Sequence, residues 1–222
     1  MADPIAGRGD LVALARTGLT WQFDPTRGMA PSRQARRAAG LVLFGRLDDV
    51  PARAAGPVSA DLDVLLQRRS QTLNHHPGQI SFPGGGLEAD ESVVQAALRE
   101  AVEETGLDPT GVEVLGTLPE VPLPVSNNRV TPVLAWWARP SHVAAVDHTE
   151  TVDVFRVPVA DLLDPAHRAV VEHRRAGQVL RTPAFEAAGV LVWGFTALVL
   201  DGLFDALGWT VPWTADRVVV PR

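Results

Sequence analysis

Apolar residues along this chain come in short runs separated by polar, glycine- or proline-containing stretches, and most runs have the length of strands. Residues 38–47, AAGLVLFGRL, read as a buried strand. Residues 61–70, DLDVLLQRRS, read as a second, whose alternation sets Val64, Leu66 and Arg68 on one face and Leu65, Gln67 and Arg69 on the other. A short extended piece, QISFPGG, precedes further strands at 112–118, 128–138 and 151–159. Pro132 lacks an N–H for a ladder and predicts an edge or bulged strand for 128–138. Residues 168–186 read as a hairpin turning at Ala176-Gly177.

Helical spacing occurs twice. Over 91–105, Val94, Ala97, Leu98, Ala101 and Thr105 form one stripe; over 193–207, Phe195, Leu198, Val199, Phe204 and Leu207 recur at mostly helical intervals. Residues 1–33, broken by Pro4, Gly28 and Pro31, predict an irregular or partly helical lead-in, and Arg33, Arg36 and Arg37 read as a solvated helix end. Strands flanking an early and a late helix predict an α/β (α+β) sandwich around a mixed β-sheet. The expected organisation is one domain over 1–222, with its core at about 38–165 and a hairpin and helix at 166–222 packed on it.

Composition narrows the chemistry. A chain of 222 residues, 46% hydrophobic, can bury a sizeable core. The net charge of −6 argues against a nucleic-acid partner but leaves anionic small molecules open, because bound cations reverse a local field. There is no cysteine, which removes disulfides, thiolate metal sites and cysteine nucleophiles. The longest late apolar stretch, 189–200, is too short to span a bilayer, and Leu11–Ala15 is too short for a signal-peptide core, so a cytoplasmic location without membrane association is expected.

The segment 84–107, GGGLEADESVVQAALREAVEETGL, breaks two local rules at once. Glu100, Glu103 and Glu104 stand at i, i+3 and i+4, where like charges repel at about 0.2–0.5 kcal/mol per pair. They also crowd the C-terminal end of the predicted helix, where the macrodipole disfavours negative charge. Conflicts of this kind mark functional sites. Hard oxygen donors on one face suit a divalent cation, which would relieve both conflicts, while Arg99 can pair with Glu91 or Glu103 and Gly106 can end the helix. A solvated acidic helix end would carry the same glutamates. The preceding glycines permit close backbone approach, yet no Lys-Ser/Thr follows them as in a nucleotide P-loop.

Taken together, Gly85, Glu91 and the run Arg99-Glu100-Ala101-Val102-Glu103-Glu104-Thr105-Gly106-Leu107 resemble the Nudix box, G-x5-E-x7-R-E-U-x-E-E-x-G-U, where U is a bulky aliphatic residue. Ala101 is small for its aliphatic slot. The resemblance implies hydrolysis of a nucleoside diphosphate linked to another moiety, dependent on Mg²⁺ or Mn²⁺. It also implies metal ligation by Glu100, Glu103, Glu104 and the carbonyl of Gly84, with Glu91 and Arg99 bracing the helix.

Upstream, LLQRRSQTLNHHPGQISFPGG (residues 65–85) resembles the segment that precedes the box in the coenzyme A pyrophosphatase branch of that family. Leu65, Leu66, Arg69, Ser70, Gly78, Phe82, Pro83, Gly84 and Gly85 match; Gln67 replaces the usual threonine and Asn74 the usual arginine. The resemblance, roughly residues 38–205, implies cleavage of coenzyme A or acyl-CoA to 3′,5′-ADP and 4′-phosphopantetheine. Arg69 is the expected diphosphate contact, since a guanidinium binds phosphate oxygens bidentately. Ser70, Gly84 and Gly85 join it as substrate-binding candidates. So does His76, which with His75 stands where the Asn74 replacement removes a cation.

Glu100, Glu150 and Glu120 are the candidates for general base, and Glu150 also for an outer metal ligand. His173, Arg174, Arg175 and Arg181 are candidates to border the 3′-phosphate of the ribose, although a solvated hairpin rim would carry them too. Asn74 keeps a different diphosphate substrate open: ADP-ribose, NADH or a dinucleotide. A Nudix-fold ligand sensor without catalysis would be expected to lack box glutamates, and none is missing. Neither a monomer nor a homodimer is singled out.

Overall fold

The structure is a computed structural model and describes residues 6–22, 35–46, 52–54, 56–72, 77–123, 126–175 and 177–221. Helix α1 is Ala6–Thr17 and residues 18–22 continue without helix, so the predicted lead-in is partly helical where it is described. Strands β1 (Arg36–Arg46), β2 (Leu62–Arg69), β3 (Ile80–Ser81) and β4 (Gly84–Gly86) precede helix α2 (Val93–Thr105). Strands β5 (Val112–Thr117), β6 (Val121–Leu123), β7 (Asn128–Trp137) and β8 (Thr151–Pro158) follow, then the short helix α3 (Val159–Leu163). The chain continues through β9 (Arg168–Arg175), β10 (Gln178–Ala187), β11 (Val190–Val192), α4 (Gly194–Ala206) and β12 (Val218–Val219).

Among the described residues, eight strands form one mixed sheet with the central order β3-β2-β1-β7-β5. In it β1 runs antiparallel to β2 and β4 but parallel to β7. The remaining strands form a second sheet, β11-β10-β9-β12, built on the predicted hairpin. Strand alternation decides what each face of the first sheet carries. Leu41 and Leu43 of β1, Leu65 of β2 and Val133 and Ala135 of β7 pack with Ala96, Ala97 and Ala101 of α2. The intervening Val42, Phe44, Val64, Leu66, Leu134 and Trp136 join Leu11 of α1 and Leu200, Leu203 and Phe204 of α4. The sheet is therefore sandwiched, as the fold class requires. Its α2 face accepts a small residue such as Ala101, which is fully buried there.

Three expectations are corrected. The acidic helix starts at Val93 rather than 91, because Ser92 caps it: the Ser92 hydroxyl accepts from Gln95 N–H while the Gln95 side chain accepts from Ser92 N–H. Strand β7 is central despite Pro132. Its partner β5 ends opposite Val133 and β6 begins opposite Val130, so the proline falls where the neighbouring strand changes and no ladder donor is needed. Arg36 and Arg37 open strand β1 instead of ending a helix. Arg33, Asn74, His75, His76 and Ala176 lie outside the described residues.

Candidate active site

Strand β4 and the C-terminal half of α2 meet above the end of β2, and the conspicuous polar residues of the sequence converge there. Pairing of β4 with Ala38, Ala39 and Gly40 of β1 fixes the glycine strand. A Cβ at Gly84 would lie 2.7 Å from Gly40 Cα, so only glycine fits between these backbones. A Cβ at Gly85 would run into the Glu100 carboxylate, so Glu100 rests directly on the strand.

Arg99 is the hub of the acidic face. Its Nε and Nη2 donate to the two oxygens of Glu91 at 2.9 and 3.0 Å, a bidentate pair, and Nη2 also donates to the carbonyl of Gly86 at 3.0 Å. Its Nη1 lies 3.1 Å from Glu100 Oε1 and 3.0 Å from Glu103 Oε2. Arg99 thus pairs with both glutamates that the sequence offered as alternatives, and with Glu100 besides. The guanidinium holds the Glu91 carboxyl below the usual carboxylate range, and the three carboxylates raise the guanidinium's own value. Gly106 ends α2 in the left-handed region, φ 67°, and its N–H donates to Val102 O at 2.9 Å.

Glu104 points the other way, into the fold. It is buried, and its Oε2 accepts from Gly84 N–H at 2.8 Å and from Gln67 Nε2 at 2.7 Å. Arg69 Nη1 stands 3.8 Å from Oε1, so the alternation that set Gln67 and Arg69 on one face brings both to Glu104. Burial pushes the Glu104 carboxyl up to about 7 in spite of these donors, with the Glu100 charge adding to the rise. Burial also raises Glu100; Arg99 opposes this, and the charges of Glu103 and Glu150 reinforce it. Glu150 is itself exposed, and its carbonyl accepts from Ser70 N–H at 2.7 Å.

One proposed substrate contact and one proposed base have other partners. Ser70 is buried and its hydroxyl lies 2.8 Å from that of Thr72. Glu120 sits 3.6 Å from Arg129. On the hairpin, Glu172 pairs with both Arg174 and Arg181, and His173 Nε2 lies 2.9 Å from Thr182 Oγ1. An open groove of about 500 Å³, lined by Arg36, Arg37, Leu87, Glu88 and Asp90, borders the glycine strand at Gly86 and the brace at Glu91.

The donor chemistry fits a hard divalent cation: three carboxylates lie on one helix end, two already share the cationic nitrogen of Arg99, and two are raised by burial and like charge. Among the described residues no three acidic or histidine side chains are gathered into a closed ligand set. No helix among the described residues is long and apolar enough to cross a membrane.

Residues 50–178 match the family model of the NUDIX domain. Over 101 residues the chain is 42% identical to a protein of Citrobacter koseri described as the uncharacterized Nudix hydrolase NudL, covering 45% of this chain and 52% of the relative. The corresponding Escherichia coli protein, strain IAI39, is 43% identical over the same length and share. The chain thus spans about half the length of the curated relatives it matches. Among solved structures, a Nudix hydrolase of M. smegmatis, RenU, is 27% identical with a TM-score of 0.45, over 59% of this chain and 74% of that one. The NUDIX domain of Shewanella oneidensis NrtR, complexed with ADP ribose, is 24% identical with a TM-score of 0.42, over 64% and 82%.

Proposed function

The chain belongs to the NUDIX domain family, and on that premise we propose that it is a divalent-metal-dependent diphosphatase of coenzyme A or its acyl derivatives. The observation that carries the hydrolase reading is the convergence of Glu100, Glu103 and Arg99 against the glycine strand, with Glu104 held beneath them. The substrate reading is supported by the upstream residues Leu65, Leu66, Arg69, Ser70, Gly78 and Phe82–Gly85, and by the likeness to the NudL relatives.

In this account Glu100, Glu103, Glu104 and the Gly84 carbonyl hold Mg²⁺ or Mn²⁺. The bound cation supplies Lewis acidity toward the phosphate oxygens and lowers the pKa of water. Arg99, locked by Glu91, keeps the Glu100 and Glu103 carboxylates turned toward each other. Arg69, three-quarters buried beside Glu104, offers a guanidinium to the diphosphate. Ser70 and Thr72, joined through their hydroxyls, follow Arg69. Glu100 lies on Gly85 with its carboxyl raised, which suits a base that takes a proton from the attacking water; Glu150, whose charge reaches Glu100, is the second candidate. Water adds to one phosphorus of the diphosphate, the bridging P–O bond breaks, and the products are 3′,5′-ADP and 4′-phosphopantetheine.

The protein is incubated with coenzyme A and with ADP-ribose, each with Mg²⁺ or Mn²⁺, and the products are identified by mass. Release of 3′,5′-ADP from coenzyme A is expected. Rapid cleavage of ADP-ribose with coenzyme A left intact would transfer the assignment to the second substrate class, which Asn74 keeps open.

A further inference from the structure

We propose that Gln67, bridged to Thr151, is a positioning residue that fixes which oxygen of Glu104 faces the site. The proposal rests on reading Glu104 as a cation ligand. Three polar side chains stand in line inside the fold: Thr151 and Gln67 are fully buried, and Glu104 is 5% exposed. A buried amide is costly unless its donor and acceptor are both used. Here Nε2 donates to Glu104 Oε2 at 2.7 Å, and Oε1 accepts from the Thr151 hydroxyl at 3.3 Å.

That pattern sets the amide's orientation. With Thr151 donating to one end of Gln67, the NH₂ end is left for Glu104, and an amide flip would place two acceptors together. Gly84 N–H reaches the same Glu104 oxygen at 2.8 Å, so Oε2 takes two donors from the protein. Oε1 is left on the side of Arg69, 3.8 Å from its guanidinium. Glu104 therefore turns its other oxygen toward Arg69 in a defined direction.

The arrangement crosses three elements. Thr151 begins β8, Gln67 lies near the end of β2, and Glu104 is in the last turn of α2. Strand β8 pairs with β2 in a register that sets Val154 opposite Gln67 and Thr151 opposite Arg69, with an irregularity between Arg68 and Arg69. The Thr151–Gln67 contact is therefore diagonal, and it ties the start of β8 to the acidic helix through one side chain.

The test uses the full chain and Mn²⁺ alone as probe, followed by electron paramagnetic resonance, with kcat and KM measured separately. Gln67→Leu is expected to weaken Mn²⁺ binding and lower kcat by about tenfold to a hundredfold, with KM shifted by less than about threefold. Thr151→Val should lose less, in the same direction. In a Glu104→Gln background, Gln67→Leu should cost no further Mn²⁺ affinity, because the group it orients is altered. Gln67→Leu that loses thermal stability while keeping Mn²⁺ affinity and kcat would overturn the proposal, as would additive losses with Glu104→Gln. If Gln67→Leu does not fold, Thr151→Val decides alone, and unchanged Mn²⁺ affinity overturns the inference. Wild-type protein that binds Mn²⁺ but cleaves no nucleoside diphosphate derivative would defeat the functional reading and leave the Mn²⁺ comparison to judge Gln67. Wild-type protein that binds no Mn²⁺ would defeat both.

Discussion

At position 85 a Cβ has no room, and the obstacle is the carboxylate of Glu100 rather than another backbone segment. The carboxylate ends a flexible side chain and can move aside, so the cost of a methyl group falls on geometry more than on stability. Gly85→Ala is expected to keep the fold, with Tm within about 2 °C of wild type. It should lower kcat by about tenfold to a hundredfold, the scale of an ångström's misplacement at a reacting centre. Loss of Tm with kcat intact would mean that Glu100 has no part in the chemistry. Glu91, Arg99 and the three box glutamates were legible in the sequence because all lie within one helix and its lead-in, where spacing fixes proximity. Gln67 and Thr151 were not: they are 84 residues apart, and nothing local marks a buried amide as the partner of a distant glutamate.

At the scale of elements, the strands' faces followed from alternation, and β2 shows how far that reaches. Its Leu65, Gln67 and Arg69 share one face, as read, and in the fold that face meets α2, where two of the three reach Glu104. What alternation could not supply was pairing order. Pro132 reads as the mark of an edge or bulged strand only until β5 and β6 are seen to divide the length of β7 between them, with the ladder's irregularity at Val114–Gly116 of β5. Near the start of β2, Asp63 is buried and pairs with Arg156 of β8.

Burial pushes the Asp63 carboxyl up to about 6 from its ordinary 3.8, against the opposing pull of Arg156. The folded state thus keeps this proton at pH values where the unfolded chain has lost it. The stability it contributes is complete below about pH 4 and is lost as pH rises through 6, by up to about 3 kcal/mol. The Tm of wild type minus that of Asp63→Asn should therefore shrink between pH 4 and 7. A difference that grew over the same range would mean that Arg156 outweighs desolvation.

At the scale of the molecule, the second sheet is the part least visible beforehand. Its hairpin was legible from turn chemistry, but the parallel pairing of β12 with β9 joins segments about 50 residues apart. Arg168 of β9 lies at this junction. It is buried, pairs with Asp201 of α4, and stacks on Phe185 at 4.6 Å and Trp213 at 4.4 Å. Desolvation lowers the arginine's pKa and raises the aspartate's, so both partners register the cost of burial. Asp201→Asn, which strands the charge, is expected to cost about 3 kcal/mol in urea unfolding, whereas Arg168→Met with Asp201→Leu should recover most of it. A double variant as unstable as the single one would show the pair to be net stabilising.

If the carboxylates at the end of α2 cut a diphosphate with the help of a divalent cation, turnover must need both the metal and the glutamates. Release of 3′,5′-ADP from coenzyme A is followed by mass for wild type and for Glu103→Gln, Glu104→Gln, each with Mg²⁺, with Mn²⁺ and with chelator. The account predicts product from wild type only when a metal is present, and a loss of several orders of magnitude in the variant. Equal product from the variant, or turnover undiminished by chelation, would contradict it.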